Sequence, residues 1–207
     1  MQQGRGIDEK GRIRAELLKK RNSLPPDERR HLSERIANAL RGLDEFQEAR
    51  RIMFYVAVKG EVGTEDLIRE CLARGKVVSV PCCDPASGRI SAASIRDFDR
   101  DMAQGCYGIP EPLGERRETV AAADIDLFIV PGVGFDWTGV RLGWGKGYYD
   151  SFLAAAAARA VKIGLAYEAQ VLPLIEPGGH DVAMDKIITE ERVIDCRKIR
   201  SYIKQVK

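Results

Sequence analysis

Between residues 131 and 150 the sequence reads PGVGFDWTGVRLGWGKGYYD, and this stretch has the residue types for phosphate chemistry. Gly143, Gly145 and Gly147 remove every second Cβ, so backbone amides can approach an anion closely. Arg141 offers a bidentate fork and Lys146 a mobile point charge for the same ligand. With Tyr148, Tyr149 and Asp150, two cations, two tyrosines and an aspartate fall within ten residues, more than a solvated glycine loop requires. Asp150 could hold a magnesium ion bridging phosphates, or could simply face the dipole of a helix that starts there. The stretch is not a Walker A loop, because Gly147 follows Lys146 where Ser or Thr is needed. Nor is it a dinucleotide fingerprint, since the third glycine of that spacing is missing.

Such a loop needs a strand before it and a helix after it, and the hydrophobic pattern supplies both. Residues 125–130 form a buried, β-branched run, and a helix is expected from Tyr148 through the alanines to residue 158. A Gly-rich loop over residues 132–147 joins them. Upstream, residues 8–22 have helical spacing, with Ile13 and Leu17 on one face. A second helix carries the stripe Leu32, Ile36, Leu40 and Leu43, with Pro26 in its first turn. Residues 51–58 (RIMFYVAV) read as a buried strand. Thr64 is placed to cap a helix with Leu67, Ile68, Cys71 and Leu72 inward and Gly75 at its end. Residues 76–80 form a further strand, residues 81–88 a turn-rich loop, and residues 89–95 a third strand. The string Gly108-Ile109-Pro110-Glu111-Pro112 cannot be helix. Residues 161–166 and Lys186-Ile187-Ile188 read as strands. This alternation predicts an α/β fold, a single-domain, Rossmann-like, largely parallel sheet flanked by helices over residues 1–207, with ligands at the carboxyl ends of its strands.

Composition excludes several classes. The chain has 207 residues, 44% hydrophobic, and a net charge of +2 that demands neither nucleic acid nor membrane. The five cysteines are odd in number and contain no Cys-x-x-Cys pair, which argues for free thiols in a reducing compartment. The N-terminus has no apolar run and no segment is long and apolar enough to span a bilayer, so a cytoplasmic protein is expected. The basic stretch from Lys10 to Arg21 is interspersed with acids and lacks aromatics, unlike an RNA-binding surface.

The string RLGWGKGYYD preceded by PGVGFD closely resembles the signature of the 5-formyltetrahydrofolate cyclo-ligase family. The resemblance extends over nearly the whole chain. Lys10 and Arg14 look like its N-terminal Lys-x-x-x-Arg. Tyr55 to Glu61 with Thr64 look like its first strand and the turn after it. Residues 108–112 resemble its central turn, and Gln170, Pro173, His180-Asp181 and Asp185 its C-terminal pattern. The family transfers the γ-phosphoryl group of ATP to the formyl oxygen of 5-formyltetrahydrofolate, and ring closure then gives 5,10-methenyltetrahydrofolate. The resemblance implies an ATP- and magnesium-dependent, monomeric enzyme acting on small molecules. It implies that Lys10, Arg14 and residues 141–149 (Arg141, Leu142, Gly143, Trp144, Gly145, Lys146, Gly147, Tyr148, Tyr149) bind ATP. It further implies Arg141, Lys146 and Tyr149 in catalysis, and Asp150 and Asp185 as magnesium ligands. Val56, Glu61 and the stretch Trp144 to Tyr148 would contact the folate, Glu61 through hydrogen bonds to the pterin. Read without the resemblance, Lys10 and Arg14 are the polar face of a helix, Glu61 a loop carboxylate and Asp185 a turn cap. The residues alone also leave open a non-catalytic binder on the same fold, and a different ATP-using ligase or kinase.

Overall fold

The structure, a computed structural model, describes residues 3–84, 86–114 and 118–206. Helices α1 (Gln3–Ser23), α2 (Pro26–Arg41) and α3 (Asp44–Glu48) lead into strand β1 (Arg51–Met53). Helix α4 (Glu65–Ala73) connects to β2 (Val77–Asp84) and β3 (Arg89–Ile95). A short excursion follows through α5 (Phe98–Asp101), β4 (Met102–Gln104), β5 (Pro110–Pro112) and β6 (Glu118–Val120). The second half runs β7 (Leu127–Val130), β8 (Gly134–Asp136), β9 (Arg141–Leu142), α6 (Tyr148–Leu153) and β10 (Val161–Leu165). It ends with β11 (Val171–Leu172), β12 (Lys186–Ile188), β13 (Val193–Asp195) and α7 (Cys196–Val206).

The main sheet has the order β13-β12-β10-β7-β1-β2-β3-β6. The run β12-β10-β7-β1-β2 is parallel and the flanking strands are antiparallel, so the expected largely parallel α/β architecture is what the chain adopts. Strand residues alternate between two apolar layers, as the period of two requires. Ile52, Phe54, Leu127 and Ile129 pack against Ile36 and Leu40 of α2 and Leu67 and Ile68 of α4. Met53, Phe128 and Val130 face Leu153 of α6 and Cys196 of α7. From β1 the chain moves to β2 on one side, and it later returns to β7 on the other. The carboxyl ends of β1 and β7 therefore form a topological switch point, where open α/β sheets leave a crevice.

Several expected boundaries move, each for a local reason. β1 stops at Met53 rather than residue 58: after the bond from Phe54 N to Ser79 O, the Tyr55 carbonyl accepts from the Thr64 hydroxyl instead of a neighbouring strand. The same bond occupies Thr64, which sits at the start of α4 without capping it. β2 continues through Pro81 to Asp84, into the expected loop. β1 pairs with it only as far as Ser79, so a missing N–H at Pro81 breaks no ladder on that side. α6 ends at Leu153, and the alanines beyond it form tight turns back to β10. Their high helix propensity yields to the need to reach the next strand. The glycine-rich loop contains β8 and β9, which join β11 in a small separate sheet. α1 starts five residues earlier than its periodicity predicts and packs Leu17 against Val133, Val140 and Leu142 of this region.

Candidate active site

A cavity of about 490 Å³ opens at the switch point. Its floor is the carboxyl edge of the sheet, with Tyr55 and Val56 after β1, Pro81 and Cys83 on β2, and Pro131 and Gly132 after β7. Its roof is the glycine loop. Asp136, completely buried, sets the approach to that loop: one carboxylate oxygen accepts from Thr138 N, Thr138 Oγ1 and Val140 N, and the other from Ile175 N at 2.8 Å. This anchors the β8–β9 turn and delivers Arg141 to the cavity wall.

Arg141 is 8% exposed and bonds the Asp150 carboxylate at 2.8 Å, while its guanidinium lies 5.4 Å from the Tyr149 ring centre. The loop beyond it folds tightly over the guanidinium. A Cβ at Gly143 would sit 2.7 Å from Arg141 Nη1, so any side chain here would push the guanidinium aside. Gly145, at φ 91°, takes a left-handed conformation that side chains rarely adopt. Arg14 reaches across from α1 and donates from Nε to the Gly143 carbonyl at 2.8 Å, tying helix to loop. Lys10, one turn earlier, pairs with Asp181 at 3.7 Å. Lys146 lies 5.7 Å from the Tyr148 ring centre, on an exposed part of the loop.

At the other end of the cavity stands Glu61, whose side chain is 7% exposed. Its carboxylate accepts from Val58 N at 3.2 Å, with the Trp144 indole beside it and Arg21 3.9 Å away. Burial raises its pKa above the usual carboxylate range, and the Val58 amide, Arg21 and Trp144 partly offset that. Trp144 is half exposed, with Lys59 5.3 Å from its ring centre. Burial, and then the charge of Glu61, pushes the Tyr149 phenol well up, so it stays protonated at neutral pH and can only donate or orient.

The structure thus brings together Arg14, Val56, Glu61, residues 141–149 and Asp150, while Lys10 reaches the rim through Asp181. It does not bring in Asp185. That carboxylate lies before β12, at the amino edge of the sheet, opposite the cavity. It accepts from Lys162 N at 2.8 Å and pairs with Arg197 at 2.7 Å and Arg200 at 3.8 Å. Held there by Lys162, Arg197 and Arg200, it lies away from Asp150, so the structure does not bring the two expected magnesium ligands together. Asp181 occupies the cavity wall instead, accepting from Gly178 N. Lys59 and Cys83 also line the cavity, and Arg21 lies behind Glu61, off the lining itself. Arg21 reads in the sequence as one more cation of a basic helix, and its burial alone distinguishes it.

Fold and site define an α/β protein with its ligand cavity at the switch point of a parallel sheet, roofed by a cationic glycine loop. The model of the 5-formyltetrahydrofolate cyclo-ligase family matches residues 7–190. The chain superposes on the 5,10-methenyltetrahydrofolate synthetase of Aquifex aeolicus with a TM-score of 0.80 and 35% identity, covering 91% of this chain and 93% of that one. The 5,10-methenyltetrahydrofolate synthetase of Mycoplasma pneumoniae gives 0.71 and 27%, over 87% and 98%. The mouse 5-formyltetrahydrofolate cyclo-ligase is 28% identical over 86% of this chain and 92% of its own length. The chain belongs to the 5-formyltetrahydrofolate cyclo-ligase family.

Proposed function

We propose that the chain catalyses the ATP-dependent cyclisation of 5-formyltetrahydrofolate to 5,10-methenyltetrahydrofolate, with release of ADP and phosphate. The observation that carries this reading is one continuous cavity with a cationic, glycine-lined end and a carboxylate-lined apolar end. A formyl amide is a poor electrophile and its oxygen a poor leaving group, and phosphorylation cures both faults. The formyl oxygen attacks the γ-phosphorus and the bond to the ADP oxygen breaks. Nitrogen 10 then adds to the activated carbon and gives up its proton, which the departing phosphate accepts as the carbon–oxygen bond breaks and phosphate leaves with that oxygen.

Phosphoryl transfer chiefly needs positioning and charge neutralisation. Arg141 and Lys146 supply charge toward the transferred group, and the amides freed by Gly143, Gly145 and Gly147 bind its oxygens. Arg14 holds the loop closed, and Lys10 adds positive charge near the phosphate tail. Tyr149, protonated, orients rather than accepts a proton. Val56 and the aromatic faces of Trp144 and Tyr148 flank the folate ring, and Glu61 accepts from the pterin's N–H edge. Among the described residues no group of three His, Cys, Asp or Glu side chains converges. Asp150 and Asp181 on the cavity wall nevertheless suit a magnesium ion completed by phosphate oxygens and water. Bound there, it would neutralise charge on the nucleotide phosphates.

The test is the appearance of methenyltetrahydrofolate's near-ultraviolet absorbance from 5-formyltetrahydrofolate. The signal is expected only with both ATP and magnesium, and is lost in Asp150→Ala. Folded protein that binds ATP but gives no product overturns the assignment of the substrate.

A further inference from the structure

Arg21 is among the most buried side chains of the molecule, 1% exposed at the last turn of α1, yet it is poorly satisfied. Nη2 donates to the Lys59 carbonyl at 3.0 Å, while Nε and Nη1 have no hydrogen-bond partner among the described residues. The nearest carboxylate oxygen, on Glu61, is 3.9 Å from Nη1. A buried guanidinium with orphaned donors is costly, and packing alone gives no reason to keep one. Its place supplies the reason. The residue it binds, Lys59, holds φ at 51°, a left-handed conformation uncommon for any residue but glycine, in the turn that presents Glu61. The guanidinium also lies 5.8 Å from the ring centre of Trp144, whose indole is beside the same carboxylate. Helix, turn and glycine loop therefore converge on one point.

We propose that Arg21 is a positioning residue for the folate half of the cavity: it fixes the Lys59–Glu61 turn and places positive charge beneath the Glu61 carboxylate. This rests on the assignment of Glu61 to the pterin. An amino-pyrimidinone edge offers two N–H donors side by side, so only an ionised, correctly aimed carboxylate can accept both. Burial works against that ionisation, and Arg21 and Lys59 are the cations that favour it. The other groups facing this pair are the neutral phenols of Tyr55, Tyr149 and Tyr167, with Arg29 against Arg21 from α2.

Two substitutions separate the roles. Arg21→Gln keeps a donor for the Lys59 carbonyl but removes the charge, and Arg21→Lys keeps the charge. With removal of a cation the Glu61 pKa rises, so the acid limb of kcat/KM for 5-formyltetrahydrofolate moves to higher pH. The expected shift in Arg21→Gln is about one unit. KM for 5-formyltetrahydrofolate at neutral pH rises about tenfold with KM for ATP within twofold, the pattern of lost binding at one substrate only. Arg21→Lys recovers most of both. In a Glu61→Gln background, Arg21→Gln adds little, because the pair acts as a unit. Equal changes in both KM values, or an unmoved acid limb in folded Arg21→Gln, overturn the proposal. If Arg21→Gln does not fold, Arg21→Lys decides: a wild-type acid limb and KM support a charge role, and a tenfold loss at both substrates sinks it. If Glu61→Gln itself leaves KM for 5-formyltetrahydrofolate unchanged, the assignment of Glu61 fails instead, whatever Arg21 does.

Discussion

Gly143 lies under the Arg141 guanidinium with no room for a methyl group, and that contact makes the loop's shape a matter of single atoms. Gly143→Ala is expected to displace Arg141 from Asp150 and lower kcat/KM about a hundredfold, the scale of losing one preorganised charge stabiliser. Thermal stability should fall as well, because the Arg141–Asp150 pair that the substitution disrupts is largely buried. Steady-state kinetics beside a melting curve checks both halves. Cys83 gives a second prediction. Its thiol faces the cavity, and burial, helped by Glu111, pushes its pKa up to about 11. An ordinary thiol's alkylation rate levels off above roughly pH 8.5. The Cys83 rate should keep climbing about tenfold per pH unit between pH 7 and 9, since the thiolate fraction rises tenfold per unit below the pKa. Peptide mapping after iodoacetamide treatment measures it, and 5-formyltetrahydrofolate should protect the residue.

At the scale of elements, α1 is the piece that completes the site without belonging to the sheet. It docks through Leu17, 2% exposed, onto Val133, Val140 and Leu142. Leu17→Ala should cost about 3 kcal/mol in urea unfolding, as for other buried leucines. It should also weaken ATP binding, since Arg14 rides on the same helix. The sequence made the glycine loop, the alternation of strands and helices, and the apolar faces of α2 and α4 legible, because each is a local pattern. It hid the β8–β9–β11 sheet, since strands of two or three residues carry no period to read. It hid the end of α6 as well, because alanine's propensity is indifferent to where the next strand must begin. Arg21 was unreadable for a different reason: its place behind Glu61 depends on burial and on partners far along the chain.

Across the whole molecule, chemistry and anchorage occupy opposite edges of the sheet. Asp185, at the amino edge, joins β10, β12 and α7 through Lys162, Arg197 and Arg200. Asp185→Ala leaves the Lys162 N–H without its acceptor, while Arg197 and Arg200, half and one-third exposed, rehydrate, so it is expected to destabilise by about 2 kcal/mol. Because the cavity is at the other edge, KM for ATP and the magnesium requirement should be unchanged in protein that remains folded. A shifted magnesium dependence would instead return Asp185 to the metal. The tie from Arg14 to Gly143 spans 129 residues of chain. At ribosomal speed, roughly ten seconds separate the synthesis of those two residues. Throughout that interval α1 is made, but Leu17 lacks its partners from Val133 to Leu142, so the apolar face around it waits in the open. A helix made early thus meets part of its packing partners late, and a nascent chain stalled before residue 142 would present that stripe to any chaperone or protease nearby.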